Sequence, residues 1–348
     1  MLTELNAYVM NDYANITQIT LLVRRLDIGT KVIRVRQHSQ ENQLFKYRKD
    51  LSYPPKEKVK LARANMDGQP MFYGAVFSNF CINDNPRLTC LFETNREVLD
   101  DTFVGKKDLT YSLWLNKREI NLFVIPVFDS YPHPAKDFEW YYELWKELKK
   151  DDKINKEQIK VLKELSRHFS LTGEKKEEEN SYAYTADFTT HLFKTHPEID
   201  GIIYPSARLK EEGIGVNVAI RPEVIDNAFE LKACSVCRYF KRNKKQQLIL
   251  NYKHSRFRQN GKIYYVIDRE FYRDLDFKNT EYDFKTGALA VVKETAFSDG
   301  ERSKVKCYGA NDVLEGVAIM QHESVEVSIT GNSTNPTRFQ HLVAGTYK

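Results

Sequence analysis

The segment DGIIYPSAR, residues 200–208, joins a short apolar run to a polar turn. The run predicts a buried strand over 201–204, and Pro205 favours an extended backbone at Tyr204, which carries the strand up to the turn. Ser206 then follows at the strand end, where ligand-binding side chains gather. The alternative for Ser206 is a helix N-cap for the residues that come next.

Short strands and helices alternate irregularly on both sides of this segment. Because the chain has no regular βαβ rhythm, we expect a compact α+β core and not a doubly wound sheet. The predicted helices span 1–28, 89–97, 135–170 with a break near 151, and 181–195. The predicted strands span 31–36, 70–77, 109–115, 120–128, 201–204, 216–220, 247–252, 262–267 and 287–293.

The chain is predicted to have three parts. Residues 1–30 form an N-terminal helical segment, and residues 31–240 form a central domain with a helical and charged insertion at about 135–180. Residues 241–348 form a C-terminal extension rich in β-strands, because short apolar runs alternate there with turn residues.

Composition limits the classes of protein to which the chain can belong. With 348 residues, 41% apolar content and a net charge of +5, it is a globular chain that weakly favours anionic ligands. Its five cysteines show no disulfide spacing, which predicts a reducing compartment. The longest apolar run, 122–128, is too short to cross a bilayer, and the first residues lack a signal-peptide pattern. We therefore expect a cytoplasmic protein without a membrane partner.

Several common site motifs are missing from the sequence. It contains no G-x-G-x-x-G, Walker A, H-E-x-x-H or G-x-S-x-G pattern, which disfavours NAD oxidoreductases, P-loop enzymes, zincins and α/β-hydrolases. Cys234 and Cys237 have metal-ligand spacing but no further ligand pair, so we interpret them as ordinary thiols and predict no metal. The basic stretch 238–245 is either a phosphate-contacting surface or, as we favour, a solvated hairpin face, so nucleic acid is not an expected partner.

Three further polar residues lie in short motifs upstream of Ser206. Arg63 stands in a turn, where a guanidinium can grip a diphosphate, or is an ordinary surface arginine. Tyr73 lies on an apolar strand, either as a core residue or as a ring that stacks on a flat heterocycle. Glu93 has apolar neighbours, so it is either a functional acid or partly exposed.

As a set, these motifs resemble the RES-domain family, named for Arg, Glu and Ser. Its members show a G-R-[FW]-N-x-x-G segment running into a Tyr-bearing strand, an acidic residue on the next helix, a G-[IV]-x-Y-P-S-like element and a Gly-x-Asn segment. The resemblance covers about residues 31–225 and is strongest at 200–208. Ala62 replaces the usual glycine, Ala64 replaces an aromatic residue, and the stretched interval before Glu93 leaves Glu97 as a rival.

The resemblance implies a fold and an activity. The fold would be similar to that of ADP-ribosyltransferases, a split and strongly bent β core with a cleft for NAD. The activity would be hydrolysis or phosphorolysis of the nicotinamide–ribose bond, with NAD as substrate, inorganic phosphate as the co-substrate of phosphorolysis, and no cofactor. Many members are toxins, so the partners to consider are NAD, a proteinaceous antitoxin and a second copy of the chain in a homo-oligomer.

The resemblance also assigns roles to residues. Cleaving an N-glycosidic bond develops positive charge on the ribose, which a carboxylate stabilises. The implied catalytic residues are Glu93 at that charge, Arg63 on the pyrophosphate, Tyr73 on the nicotinamide or ribose, and Ser206 on the ribose or an attacking phosphate. The implied substrate-binding residues are Arg34, Asn65, Tyr204 and Asn217.

Two alternatives stay open from the sequence. One keeps the fold but transfers ADP-ribose onto a macromolecule. The other is a non-enzymatic nucleic-acid-binding module that uses the basic stretch near 238–262, and it predicts strongly salt-dependent retention of DNA or RNA.

Overall fold

The computed structural model places the described residues in two compact units. The first unit takes its residues from Met1–Arg34, Arg48–Glu93 and Ser112–Lys232, and the second from Val35–Tyr47, Thr94–Tyr111 and Ala233–Lys348. The structure describes residues 23–40, 43–77, 86–98, 100, 102–103, 105–125, 127–128, 138, 156–172, 179–210, 215–241, 247–257, 261–267, 280–283, 288–293, 302–308, 314–321 and 324–328.

Helices and strands are both well represented in these ranges. The helices are α1 (Arg48–Leu51), α2 (Pro86–Thr94), α3 (Lys156–Phe169), α4 (Glu179–Thr195) and α5 (Pro222–Ala228), with 3-10 turns at Lys56–Lys58 and Arg96–Val98. The strands up to residue 241 are β1 (Val23–Leu26), β2 (Lys31–Gln37), β3 (Phe72–Val76), β4 (Gly105–Asn116), β5 (Ile120–Val124), β6 (Gly201–Pro205), β7 (Val216–Ile220) and β8 (Phe229–Lys241). The later strands are β9 (Gln247–Phe257), β10 (Ile263–Ile267), β11 (Thr280–Asp283), β12 (Ala288–Lys293), β13 (Arg302–Tyr308), β14 (Leu314–Gln321) and β15 (Ser324–Ser328).

The first unit is built on a mixed sheet with the strand order β1-β5-β6-β7-β3-β2. Strands β5 and β6 run parallel, and the other neighbouring strands in this order pair antiparallel. Every residue of β6 and β7 is buried, as expected for central strands covered on both faces. Helices and a mixed sheet confirm the predicted α+β class.

Two helices pack together in the first unit and add to its core. Helix α3 buries Val161, Leu162, Leu165 and Phe169, and the intervals of three to four residues from 161 and 162 to 165 and then to 169 place them on one helix face. Helix α4 buries Phe188, and its ring lies 5.7 Å from the ring of Phe123 on β5. The contact between the two rings packs α4 against β5, the strand next to β6.

The predicted N-terminal helix is wrong where the structure describes it. Val23–Leu26 form the edge strand β1, which pairs with Ile120–Phe123 of β5. Pairing with a neighbouring strand outweighs the helical spacing of these apolar residues. Gly29 lies at φ +83° in the turn between β1 and β2. The remainder of the prediction, residues 1–22, lies outside the described residues.

Most of the other predicted elements are found. The predicted strands are present at 31–36, 70–77, 109–115, 201–204 and 216–220 with small shifts in their ends, whereas the strand predicted over 120–128 ends at Val124. Of the helix expected over 135–170, the described residues contain α3, while the break near 151 lies outside them. Helix α5 and strand β8 were not predicted, although Pro222 stands at the helix start, where proline is favoured. None of the helices in the described part of the chain is long and apolar enough to cross a membrane.

The second unit contains two runs of paired strands. One has the order β4-β8-β9-β10, and the other is a five-stranded antiparallel sheet, β11-β12-β13-β14-β15. The strands predicted at 247–252, 262–267 and 287–293 are present as β9, β10 and β12.

Charged and polar groups are buried in the second unit. Arg238 and Asp108 form a bidentate ion pair, with Nε to Oδ1 at 2.6 Å and Nη2 to Oδ2 at 2.9 Å. His38 Nε2 lies 2.7 Å from Thr110 Oγ1. Lys241 is 1% exposed, and its Nζ donates to the carbonyl oxygens of Val98 and Asp100.

The stability of the fold is expected to fall as the pH drops from about 6.5 to about 4. Burial lowers the pKa of His38 from 6.5 to about 4, and it lowers the pKa of His168 to about 4 as well. In this window the unfolded chain binds protons that the folded chain does not, so stability decreases as the pH falls.

Urea unfolding at several pH values across this window checks the prediction. The matched variant is His38→Gln, which retains a polar partner for Thr110 but cannot titrate. We expect a shallower loss of stability in this variant, and a slope equal to that of the natural chain would contradict a neutral, buried His38.

Candidate functional site

The carboxylate of Glu93 lies between two neutral hydrogen-bond donors. Ser206 Oγ donates to Glu93 Oε1 at 2.5 Å, and Asn217 Nδ2 donates to the same oxygen at 3.0 Å. Glu93 stands in the last turn of α2, Ser206 directly follows β6, and Asn217 lies on β7. The register of the two strands, in which Tyr204 pairs with Asn217, explains why the two donors are neighbours.

Glu93 is half-buried, whereas Ser206 and Asn217 are buried, with exposures of 0% and 4%. Among the described residues no lysine, arginine or histidine forms an ion pair with Glu93. Hydrogen bonds to an ionised carboxylate are stronger than those between neutral groups, and they restrict its position. Within the described part of the chain, the Glu93 carboxylate is therefore held by hydrogen bonds and by no ion pair.

Ser206 has a second role in the turn after β6. Its amide donates to Gly215 O at 2.9 Å, and its Oγ accepts from the amide of Leu209 at 3.3 Å. The predicted alternative of a helix N-cap is wrong where the structure describes the segment, because residues 207–210 form bends and a turn and not a helix. The turn bond and the bond to Glu93 together set the position of the hydroxyl.

Gly215 is required where the chain returns towards β7. Its φ is +93°, and a Cβ added there would lie 2.9 Å from Ser206 Cβ and 3.2 Å from Thr89 Cγ2. A left-handed backbone at a non-glycine residue costs about 1–2 kcal/mol, and the crowding adds to that cost. The close approach therefore links the backbone of this turn to the position of Ser206.

Gly215→Ala is expected to destabilise the chain more than Gly29→Ala. Gly29 also has a positive φ, +83°, but an added Cβ would meet nothing within 4 Å. Chemical unfolding measures the free energy of unfolding of the two variants. Because the cost of a positive φ is the same in both, the difference between them reports the crowding around residue 215. Equal losses of stability in the two variants would show that the residues around the added Cβ, including Ser206, move aside without an energetic cost.

Tyr73 fixes the turn that carries Arg63. Its hydroxyl donates to Asn65 Oδ1 at 2.7 Å and accepts from the amide of Ala64 at 2.9 Å. The Asn65 amide group in turn donates to the carbonyl oxygens of Lys60 and Met66, each at 2.9 Å. Burial raises the pKa of Tyr73, so its hydroxyl remains neutral and acts as a hydrogen-bonding group.

Arg34 lies beside Tyr73 on the neighbouring strand. Its Nη1 donates to Tyr73 O at 2.6 Å, and its guanidinium lies 5.1 Å from the centre of the Phe72 ring. Arg34 is partly exposed. It therefore brings a second positive charge to the region of Tyr73.

Arg63 is buried and makes specific contacts, so it is not an ordinary surface arginine. Its exposure is 6%, its Nη1 donates to Phe169 O, and its Nη2 donates to Leu171 O at 2.7 Å. Its guanidinium also lies 5.2 Å from the centre of the Tyr182 ring. Nothing in the sequence motifs indicated these partners, which come from the end of α3 and from α4.

Tyr204 lies between the residues around Arg63 and those around Glu93. Arg63 lies 6.0 Å from the centre of its ring, and the centre of the Phe169 ring lies 5.2 Å from it. Burial raises the pKa of Tyr204 well above its ordinary value, and Tyr73, Arg63 and Glu93 are all close enough to influence that pKa. The structure thus brings the eight predicted site residues into one neighbourhood of the first unit: Arg34, Arg63, Asn65, Tyr73, Glu93, Tyr204, Ser206 and Asn217.

Glu97, the rival acidic residue, has a different environment. It belongs to the second unit, and its Oε2 lies 2.9 Å from Lys107 Nζ. The contacts of Ser206 and Asn217 are with Glu93. Glu93, and not Glu97, is therefore the carboxylate that Ser206 and Asn217 hold.

The basic stretch 238–245 was predicted to be a solvent-exposed hairpin face, and its described residues do not fit this prediction. Arg238 and Lys241 are both buried, with exposures of 9% and 1%, because they bind groups within their own unit. Cys234 and Cys237 are buried free thiols. In the described ranges no group of His, Cys, Asp and Glu side chains is arranged to hold a metal ion.

Comparison with known proteins bears on the C-terminal part of the chain. Residues 242–348 match a family model described as "GGGtGRT protein". No curated protein matches the chain. The matched residues begin after β8, so this similarity concerns a segment outside the one that carries the candidate site.

Proposed function

We propose that the chain cleaves the nicotinamide–ribose bond of NAD, by hydrolysis or by phosphorolysis. The observation that carries the proposal is the carboxylate of Glu93, held by Ser206 and Asn217 and without an ion-pair partner among the described residues. A negative charge that is fixed but not neutralised is suited to a substrate on which positive charge develops.

The other site residues supply binding groups for the rest of the substrate. Two arginines, Arg34 and Arg63, suit the two negative charges of a pyrophosphate, which guanidinium groups bind bidentately. The rings of Tyr73 and Tyr204 offer flat surfaces to the nicotinamide and ribose. The order of these residues also resembles the RES-domain family, and we propose the bent, split β core of ADP-ribosyltransferases as the finer description of the fold.

The reaction has two steps, the departure of nicotinamide and the attack of water or phosphate on the ribose. The bond between ribose C1″ and the ring nitrogen breaks, and its electron pair leaves with nicotinamide, which becomes neutral. Glu93 stabilises the cationic ribose, and water or phosphate then forms a new C–O bond at C1″. With water as acceptor a proton is released, so hydrolysis yields ADP-ribose, nicotinamide and a proton. Ser206 and Asn217 hold the Glu93 carboxylate throughout.

Incubation of the purified chain with NAD tests this function, with products identified by mass spectrometry. Free ADP-ribose without phosphate would identify a hydrolase, and ADP-ribose-1″-phosphate formed only with phosphate would identify a phosphorylase. Intact NAD under both conditions would contradict the proposal. A mass increase on a protein from an added lysate would instead favour transfer to a macromolecule.

We also propose that the activity serves a toxin or defence role, with a proteinaceous antitoxin as its partner. Expression of the natural chain in bacteria should then lower cellular NAD and slow growth. Glu93→Gln should relieve both effects at equal protein level. Growth inhibition that persists in this variant would separate the toxicity from NAD cleavage.

A further inference from the structure

The end of helix α3 lies against Arg63, one of the cationic groups of the site. The guanidinium donates through Nη1 to Phe169 O and through Nη2 to Leu171 O. Carbonyl oxygens at a helix C-terminus lack partners within the helix and carry partial negative charge. They therefore accept from both terminal nitrogens of Arg63, which are among the donors that a phosphate group would use.

Two aromatic rings lie beside this contact. Phe169 is fully buried, and its ring packs on that of Tyr204. Tyr182 on α4 places its ring next to Arg63, while its hydroxyl donates to Thr172 O at 2.9 Å. The segment Phe169–Thr172 is thus attached both to the site and to α4.

A pyrophosphate and this segment compete for Arg63. Bidentate binding of a phosphate requires two N–H groups of one guanidinium edge to face the ligand. Both terminal nitrogens already donate to carbonyl oxygens, and the side chain is 6% exposed. A pyrophosphate can reach a side chain that is 6% exposed only if neighbouring groups move, and the carbonyl oxygens of Phe169 and Leu171 are two of these neighbours.

We propose that the segment Phe169–Thr172 is an autoinhibitory cap, which occupies Arg63 in the resting chain and is displaced by the pyrophosphate of the substrate. The inference rests on the proposed function for its substrate, but the contact itself can be tested without NAD cleavage. The opposing view is that the segment is a fixed support that orients Arg63. The two views predict opposite effects when the segment is loosened.

Hydrogen exchange with inorganic pyrophosphate as the probe tests the cap directly. The amides of Ser170 and Leu171 donate to Ser166 O and His168 O, so their exchange reports whether the end of α3 is intact. We expect pyrophosphate to accelerate exchange at these amides in the natural chain and not in Arg63→Gln. Unchanged or slower exchange on adding pyrophosphate would overturn the cap, whether or not the chain cleaves NAD.

Tyr182→Phe provides the second test. It removes the hydrogen bond to Thr172 O but retains the ring beside Arg63, so the cap is loosened without loss of the aromatic surface. We expect the rate of nicotinamide release at low NAD concentration to rise roughly threefold to tenfold, the equivalent of one hydrogen bond. The matched control is Tyr184→Phe on the same helix, whose ring stacks on His168 and should leave the rate unchanged.

The outcomes separate the two proposals. A lower rate in Tyr182→Phe would overturn the cap and make the segment a support for Arg63. If neither the natural chain nor Tyr182→Phe releases nicotinamide, the proposed function fails, and the cap is judged by the exchange experiment alone.

Discussion

Glu93→Gln is expected to lower the rate of nicotinamide release by about 100-fold or more, the magnitude typical of losing one electrostatic group at a developing charge. The substitution removes the negative charge and little else. The remaining side-chain oxygen can still accept from Ser206 Oγ and Asn217 Nδ2, which now donate to Glu93 Oε1. Because the hydrogen bonds are retained, we expect an unfolding midpoint close to that of the natural chain.

Glu97→Gln is the matched control for this prediction. It makes the same change four residues later, on a carboxylate whose partner is Lys107. We expect nearly full activity in this variant. An active Glu93→Gln with an inactive Glu97→Gln would reverse the assignment of the acidic role.

Arg238→Met is expected to cause the largest loss of stability, about 3–5 kcal/mol, because it leaves a buried charge without its partner. The side chains of Arg238 and Asp108 are 10% and 4% exposed, so solvent cannot replace the lost interaction. Exposed ion pairs behave differently. The Arg167–Glu164 pair, at 51% and 46% exposure, should contribute less than about 1 kcal/mol.

A double-mutant cycle checks the origin of this loss. Arg238→Met, Asp108→Leu and the double variant are compared by urea unfolding. If the penalty comes from the unpaired charge, the double variant should be more stable than Arg238→Met alone. Losses that simply add would contradict direct coupling between the two residues.

The positions of several strands in the first unit could be predicted because each one is marked by a short run of neighbouring residues. The apolar runs at 201–204 and 216–220 are short and bounded by polar turns, and both are buried strands. Similar reasoning placed β2 and β3. It failed at Val23–Leu26, where apolar residues at helical spacing are held in a strand by pairing with β5.

The pairings within the site depend on contacts between distant positions. Ser206 and Glu93 are 113 residues apart, and only the resemblance to a family suggested that they belong together. The contact of Arg63 with Phe169 and Leu171 had no sequence signal, because backbone carbonyl oxygens are present at every residue. The buried state of Arg238 was likewise missed, since its partner Asp108 lies 130 residues away.

A crystal structure of the Glu93→Gln variant with NAD tests the central claim most directly, because the variant should bind the substrate and leave it intact. We predict that the pyrophosphate contacts Arg63 and that C1″ of the nicotinamide ribose lies against the side chain of residue 93, beside Ser206 and Asn217. NAD bound away from these residues, or no NAD bound at saturating concentration, would contradict the account.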